Sequence, residues 1–199
     1  MFLLIGTKNA NKVSEISAIL GDFDVEIKSL LDFPEIADVE ETCTTFVENA
    51  KLKAEAWAKE SGLMTIADDS GLCVDALDGA PGVYSARFAG IDKDYDANNV
   101  KLLRDMQNVP DTDRTAHFIT VIACATPEDR TIFTVEGKVD GKITTKLQGS
   151  NGFGYDPLFF YPPENATFAE LAADMKNIIS HRYRALEAFK IKFIEMFMK

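Results

Sequence analysis

The chain has 199 residues, 46% hydrophobic and 27% charged, long enough for one sizeable core, and its net charge of −11 argues against wrapping nucleic acid, which needs a basic surface. It has no apolar run long enough to span a membrane, and the opening Met1 to Gly6 is too short and uncharged for a signal peptide. A cytoplasmic protein with no membrane partner is expected. Three scattered cysteines, Cys43, Cys73 and Cys124, lack CxxC spacing and partnering histidines, which argues against a disulfide framework and a zinc site and leaves oxygen ligands for any metal.

In chain order, Phe2 to Ile5 reads as a buried strand, followed by the polar turn Gly6 to Lys12 and a helix with Val13, Ile16, Ile19 and Leu20 apolar. The turn fits either a phosphate cradle at a helix N-terminus, with Lys8 and Lys12 adding charge, or an ordinary capped helix start. A strand is expected near Val25 to Lys28, then an acidic connection from Asp32 to Glu41. Thr45-Phe46-Val47-Glu48 fits a capping box, and Phe46, Ala50, Ala54, Trp57 and Ala58 form the apolar stripe of the helix it opens, with Asn49 and Lys53 on its flank. Glu48 is spoken for as a cap; Glu40 or Glu41 is free for other work.

Met64 to Ala67 reads as a short strand delivering Asp68, Asp69 and Ser70 into a turn at Gly71. Two adjacent carboxylates repel and are costly to bury, so this is either a solvated turn or a site that receives a cation. Leu72 to Leu77 is expected as a further strand, and after the Pro81-Gly82 turn Ser85 and Arg87 could face a ligand or Arg87 could serve a surface ion pair. Asp94 to Met106 reads as a structural helix with Val100, Leu102, Leu103 and Met106 apolar. Ala116 to Ala125 and Arg130 to Val139 read as a hairpin across Pro127-Glu128-Asp129. Gly149 to Pro157 combines three glycines with Phe153 and Tyr155, suited to gripping a planar ligand or to a bent connection with both rings in the core. Thr167 to Glu170 offers a second capping box, and Ser180 a cap for a C-terminal helix with Leu186, Phe189, Phe193 and Phe197 on one face. His181 and Arg182 oppose that helix's dipole unless an anion or a carboxylate partner is present. No repeat or linker appears, so a single domain over residues 1–199 is expected.

Together these parts suit a nucleoside triphosphate: carboxylates for a hard cation, lysines for phosphates, an aromatic glycine loop for a base. The chain resembles the inosine triphosphate pyrophosphatase family along nearly its whole length. The resemblance is carried by Thr7 to Lys12, Glu41-Thr42 with Thr45 to Ala50 and Lys53, Ala67 to Leu72, Ala80-Pro81-Gly82 with Ser85 to Phe88, Phe153 to Pro157, and Lys176 with Ser180-His181-Arg182. It implies an α/β fold, an elongated mixed β-sheet flanked by helices in two lobes with a central cleft. It implies Mg2+-dependent hydrolysis of noncanonical purine triphosphates (ITP, dITP, XTP) to the monophosphate and pyrophosphate, usually by a homodimer.

Carried over residue by residue, the resemblance implies substrate binding by Thr7, Lys8, Asn9, Ala10, Asn11, Lys12, Lys53, Ser70, Arg87, Phe153, Gly154, Tyr155, Asp156, Lys176, His181 and Arg182. Glu41 and Asp69 would hold Mg2+, and Asp69 would act as general base, a role Asp68 could share. Donors such as Lys176 or Arg182 would favour a 6-oxo purine over adenine. Lys8 and Cys43 stand where relatives usually have glycine, and Ser150-Asn151 replaces a more common threonine-glycine. The alternatives are a pyrophosphatase for a modified pyrimidine nucleotide and a regulator that binds triphosphates without turnover.

Overall fold

A computed structural model describes residues 1–21, 23–128 and 130–198. Asp129, in the expected hairpin turn, and the terminal Lys199 lie outside the described residues. In chain order the elements are β1 (Phe2–Ile5), α1 (Ala10–Ile19), β2 (Glu26–Ser29), α2 (Phe46–Ser61), β3 (Met64–Val74), α3 (Tyr95–Asp105), β4 (Thr115–Ala125), β5 (Thr131–Ile143), β6 (Phe159–Tyr161), β7 (Ala166–Thr167), α4 (Ala173–Ile179) and α5 (His181–Phe197). The strands form a mixed α/β sheet in the order β2-β1-β3-β4-β5-β6-β7. β1 pairs in parallel with both β2 and β3, Leu4 lying opposite Lys28 and Thr65, whereas β5/β6 and β6/β7 are antiparallel. Among the described residues no helix is long and apolar enough to cross a membrane.

The chain divides into two compact units, Met1–Asp69 with Thr120–Gly137 and Arg182–Lys199 in the first, Ser70–Ile119 with Lys138–His181 in the second. In the first unit the alternation of strand side chains builds two separate apolar layers. Leu3, Ile5, Ile66, Ile122 and Cys124 pack with Ile16 of α1 and with Leu186, Phe189 and Phe193 of α5. Leu4, Ala67, Val121, Ala123 and Ala125 pack on the opposite side with Ala50, Ala54, Trp57 and Ala58 of α2. Both faces are therefore covered, and strands that are apolar at successive positions follow from that.

In the second unit Leu72, Val74, Leu102, Met106, Phe118, Val139, Phe159 and Phe168 form the core. Arg114, 4% exposed, staples it by donating to the carbonyls of Met106 at 2.8 Å, Ile143 at 2.7 Å and Thr144 at 2.9 Å.

Several expectations are corrected. The chain does not turn at Asp68 to Gly71: β3 runs unbroken from Met64 to Val74, and Asp75–Leu77 is a 3-10 turn rather than strand. Asp, Ser and Gly favour turns in isolation, but here neighbouring elements bury both faces of the strand and supply partners for its carboxylates. The Thr167 N–H and hydroxyl both donate to the Glu170 carboxylate, yet these bonds close a turn, and α4 starts at Ala173. At α2 the Thr45 hydroxyl accepts from the Glu48 N–H at 3.2 Å but donates to the Glu48 carboxylate, so only half of the box is made. Val100, placed on the apolar face of α3, is 64% exposed. Ser85 is buried, accepting from the Leu72 N–H at 2.9 Å and donating to the Gly82 carbonyl at 2.6 Å, so its hydroxyl faces backbone instead of a ligand.

Candidate active site

Because successive strand residues face opposite ways, Asp68 and Asp69 do not confront each other. Asp68 shares its face with Ile66, toward α1 and α5; Asp69 shares its face with Ala67, toward α2. Both are buried, at 4% and 5% exposure.

Asp68 lies among cations. Its Oδ2 accepts from Lys12 Nζ at 2.8 Å and from Arg182 at 3.3 Å, and Arg182 also pairs with Glu15 of α1. Burial alone would raise the Asp68 carboxyl, but Lys12, Arg182 and Lys53 outweigh it and hold the group well below the usual carboxylate range. The same burial draws the Lys12 ammonium below its ordinary value despite Asp68, while Arg182 stays above its own because Asp68 and Glu15 outweigh desolvation. Asp68 is thus fixed as an anion that anchors two cations. The charge of Arg182 at the start of α5 is explained by its carboxylate partners, Asp68 and Glu15.

Asp69 meets a different set. Asn49 Nδ2 donates to its Oδ2 at 3.2 Å, and Lys53 Nζ lies 3.4 Å from its Oδ1 while also pairing with Glu41. Burial pushes the Asp69 carboxyl up, Lys53 pulls it down, and nearby Glu41 pushes it up again, leaving it above the usual carboxylate value. Burial also pulls Lys53 down, but Asp69, Glu41 and Asp68 together hold it above its ordinary value. Asn49 meanwhile accepts from the Cys43 N–H at 3.0 Å, tying the stretch after Glu41 to α2. A buried carboxylate with raised proton affinity beside a fixed ammonium is equipped to take a proton from water.

Glu41 and Asp69 converge on one ammonium, so an all-oxygen pair already surrounds a point of positive charge. No group of three or more His, Cys, Asp or Glu among the described residues forms a metal cage. Two carboxylates alone would suit a cation that takes one or two carboxylates and keeps most of its water, such as Mg2+.

At the start of α1, Asn9 is the N-cap, its side chain accepting from the N–H groups of Asn11 and Lys12. The Thr7 hydroxyl accepts from the Asn9 N–H at 3.2 Å. Ala10 and Asn11 are exposed on the first turn. Lys8 points elsewhere: Nζ donates to the Ile36 carbonyl at 2.6 Å and lies 3.4 Å from Asp38, so the extra side chain ties this loop to the acidic connection.

The remaining candidates lie in the second unit. Lys176, 5% exposed, donates to Asp156 Oδ2 at 2.6 Å and lies 4.9 Å from the centre of the Phe153 ring. The Phe153 N–H donates to that same Oδ2 at 2.9 Å. Gly152 makes this arrangement possible, since its φ is 73° and an added Cβ would come 2.1 Å from Asp156 Oδ2. Phe153 and Tyr155 part company: Phe153 is half-buried, whereas Tyr155 is core, its hydroxyl donating to the Ser85 carbonyl at 2.8 Å. His181 stacks on Phe118 with ring centres 4.6 Å apart. Arg87 lies 5.4 Å from the Tyr84 ring, and Ser70 is half-buried on β3.

The two sets join along the chain at Asp69-Ser70 and His181-Arg182. Two polar residues of these sets were not among the sequence candidates: Asn49 and Glu15. Asn49 precedes Lys53 by one helical turn and Glu15 follows Lys12 by three residues, spacings that place each pair on one helix face.

A family model described as the Ham1 family matches residues 3–192. A protein of Listeria monocytogenes named dITP/XTP pyrophosphatase is 50% identical over 197 residues, 99% of this chain and 97% of its own. Among solved structures, the Staphylococcus aureus Ham1 protein has a TM-score of 0.85 at 42% identity over 98% of each chain. A HAM1 protein from Coxiella burnetii has a TM-score of 0.89 at 39% identity, over 98% of this chain and 99% of its own.

Proposed function

The chain belongs to the Ham1 family, and from that premise we propose that it hydrolyses noncanonical purine nucleoside triphosphates (dITP, ITP, XTP) to the monophosphate and pyrophosphate. The observation that carries the reading is the division of labour on β3: Asp68 locked between Lys12 and Arg182, Asp69 kept basic beside Lys53 and Glu41. The name of the Listeria relative supports the substrate class.

In this reading Asp69 takes a proton from the water that attacks the α-phosphorus, the α–β anhydride bond breaks, and pyrophosphate leaves. Lys12, Lys53 and the N–H groups at the start of α1 receive the phosphate chain. Glu41 and Asp69 would hold Mg2+, which when bound would supply charge neutralisation on the phosphate oxygens. Phe153 offers a ring face to the base, and Lys176, steadied by Asp156, offers a donor to a 6-oxo group that adenine lacks. A homodimer and a cytoplasmic location belong to this reading through the family resemblance; sedimentation of the purified chain and imaging of a tagged one test them.

Pyrophosphate release from dITP, XTP, dATP and dGTP, with and without Mg2+, tests the core of the proposal. Release is expected to be far faster from dITP and XTP than from dATP. Equal rates on all four, or orthophosphate as the direct product, would overturn it.

A further inference from the structure

Helix α3 buries two adjacent asparagines, Asn98 and Asn99, beside Leu102. Asn98 has its amide fully engaged: Oδ1 accepts from the Ala89 N–H at 2.7 Å, and Nδ2 donates to the carbonyls of Ala86 at 3.0 Å and Ser85 at 3.4 Å. Asn99 is used differently. It is 5% exposed, and its Nδ2 donates to the Gly154 carbonyl at 2.9 Å. Its Oδ1 has no hydrogen-bond partner among the described residues.

A buried amide oxygen left unpaired costs on the order of 1–3 kcal/mol, so an apolar residue here would serve the core better unless the donor matters. The donor holds one particular peptide. Gly154 sits at a φ of 64°, in the left-handed region, between the half-buried Phe153 and the core residue Tyr155. One turn earlier on α3, Tyr95 lies against Phe153, ring centres 6.1 Å apart. Helix α3 thus grips the loop twice, through a ring contact at Phe153 and a hydrogen bond at Gly154.

We propose that Asn99 is a positioning residue for base recognition: by holding the Gly154 carbonyl it sets the plane of the Phe153 ring beside the Lys176 and Asp156 pair. Asn99 acts through the loop and touches no reacting atom. This inference rests on the purine reading above and extends it to a helix outside the residues that carry the chemistry.

The test uses the full chain with Asn99→Asp, which keeps the shape but, when ionised, presents an acceptor to the Gly154 carbonyl, and with Asn99→Ser, which shortens the side chain. Each variant is measured by thermal melting, by kcat and KM on dITP and dATP, and by inhibition with tripolyphosphate, a probe without a base. In a folded variant the KM for dITP is expected to rise about tenfold, the effect of one lost hydrogen bond, with kcat within roughly twofold. The preference for dITP over dATP should shrink while inhibition by tripolyphosphate stays unchanged. An unaltered KM and preference in a folded variant would overturn the inference. So would equal losses on both substrates and on tripolyphosphate, or loss of the fold in both variants, since either makes Asn99 merely structural. If the unaltered chain itself shows no preference for dITP over dATP, the purine reading falls first, a result distinguishable from failure of the Asn99 step alone.

Discussion

Asp68 and Asp69 are the same residue type one position apart, and the fold drives their proton affinities in opposite directions. The cause is local: one face of β3 meets Lys12 and Arg182, while on the other Asn49, Lys53 and a competing Glu41 surround the carboxylate. Their amides should therefore part company. Asp68→Asn leaves the buried Arg182 and the half-buried Lys12 without their shared anion, and a loss of about 3 kcal/mol in unfolding free energy is expected, since breaking one side of a buried pair is strongly destabilising. Asp69→Asn relieves a carboxylate that burial disfavours, so its melting temperature should match or exceed that of the unaltered chain. Its turnover should nonetheless fall by on the order of 10² or more, the usual worth of a general base. Equal melting temperatures for the two amides, or turnover retained in Asp69→Asn, would remove the division of roles. The identities of both residues were plain in the sequence. Their faces were not, because Asp-Asp-Ser-Gly has the composition of a turn and only the surrounding elements keep it extended.

At the scale of elements, α2 supports the site and is itself tied to the sheet. It supplies Asn49 and Lys53 from one flank, and further along Glu55 accepts from the Thr131 N–H at 3.0 Å and the Thr131 hydroxyl at 2.8 Å, fastening the start of β5. Burial would raise the Glu55 carboxyl, but the two hydrogen bonds from Thr131 outweigh it and hold the group below its ordinary value. A carboxyl lowered in the native state adds stability at pH above its unfolded-state value and loses that contribution as pH falls through the native value. Glu55→Gln is thus expected to lower stability by about 1 kcal/mol at neutral pH, the worth of a hydrogen bond, with the difference from the unaltered chain closing in acid. Denaturant melts at neutral pH and in acid, below the usual carboxylate range, measure this; a difference independent of pH would refute it. The apolar stripe of α2 and the Phe189 and Phe193 face of α5 could be read from helical periodicity alone. The contact between Glu55 and Thr131 could not, since it joins residues far apart in the chain.

For the molecule as a whole, a net charge of −11 makes a polyphosphate an unwelcome partner except where cations are concentrated. Chelation of divalent cations is expected to abolish pyrophosphate release and Mg2+ to restore it, with no drop in melting temperature, because Lys53 pairs with both Glu41 and Asp69 and offsets their charge. A chelator that unfolds the protein would show instead that the cation is structural. The sequence by itself marked most strands and helices through apolar periodicity, and through the family resemblance its ordered motifs implied the class of fold and the cast of charged and aromatic residues. Such patterns are local, and local spacing is enough to read them. Tertiary structure alone decided that β3 runs straight through Asp68 and Asp69, that Lys8 is tied to Ile36 and that Arg182 is paired with Asp68. It also decided that Asn99 holds Gly154. Each of these is a contact between residues distant in sequence, and burial and charge at such contacts depend on which faces the packed elements bring together.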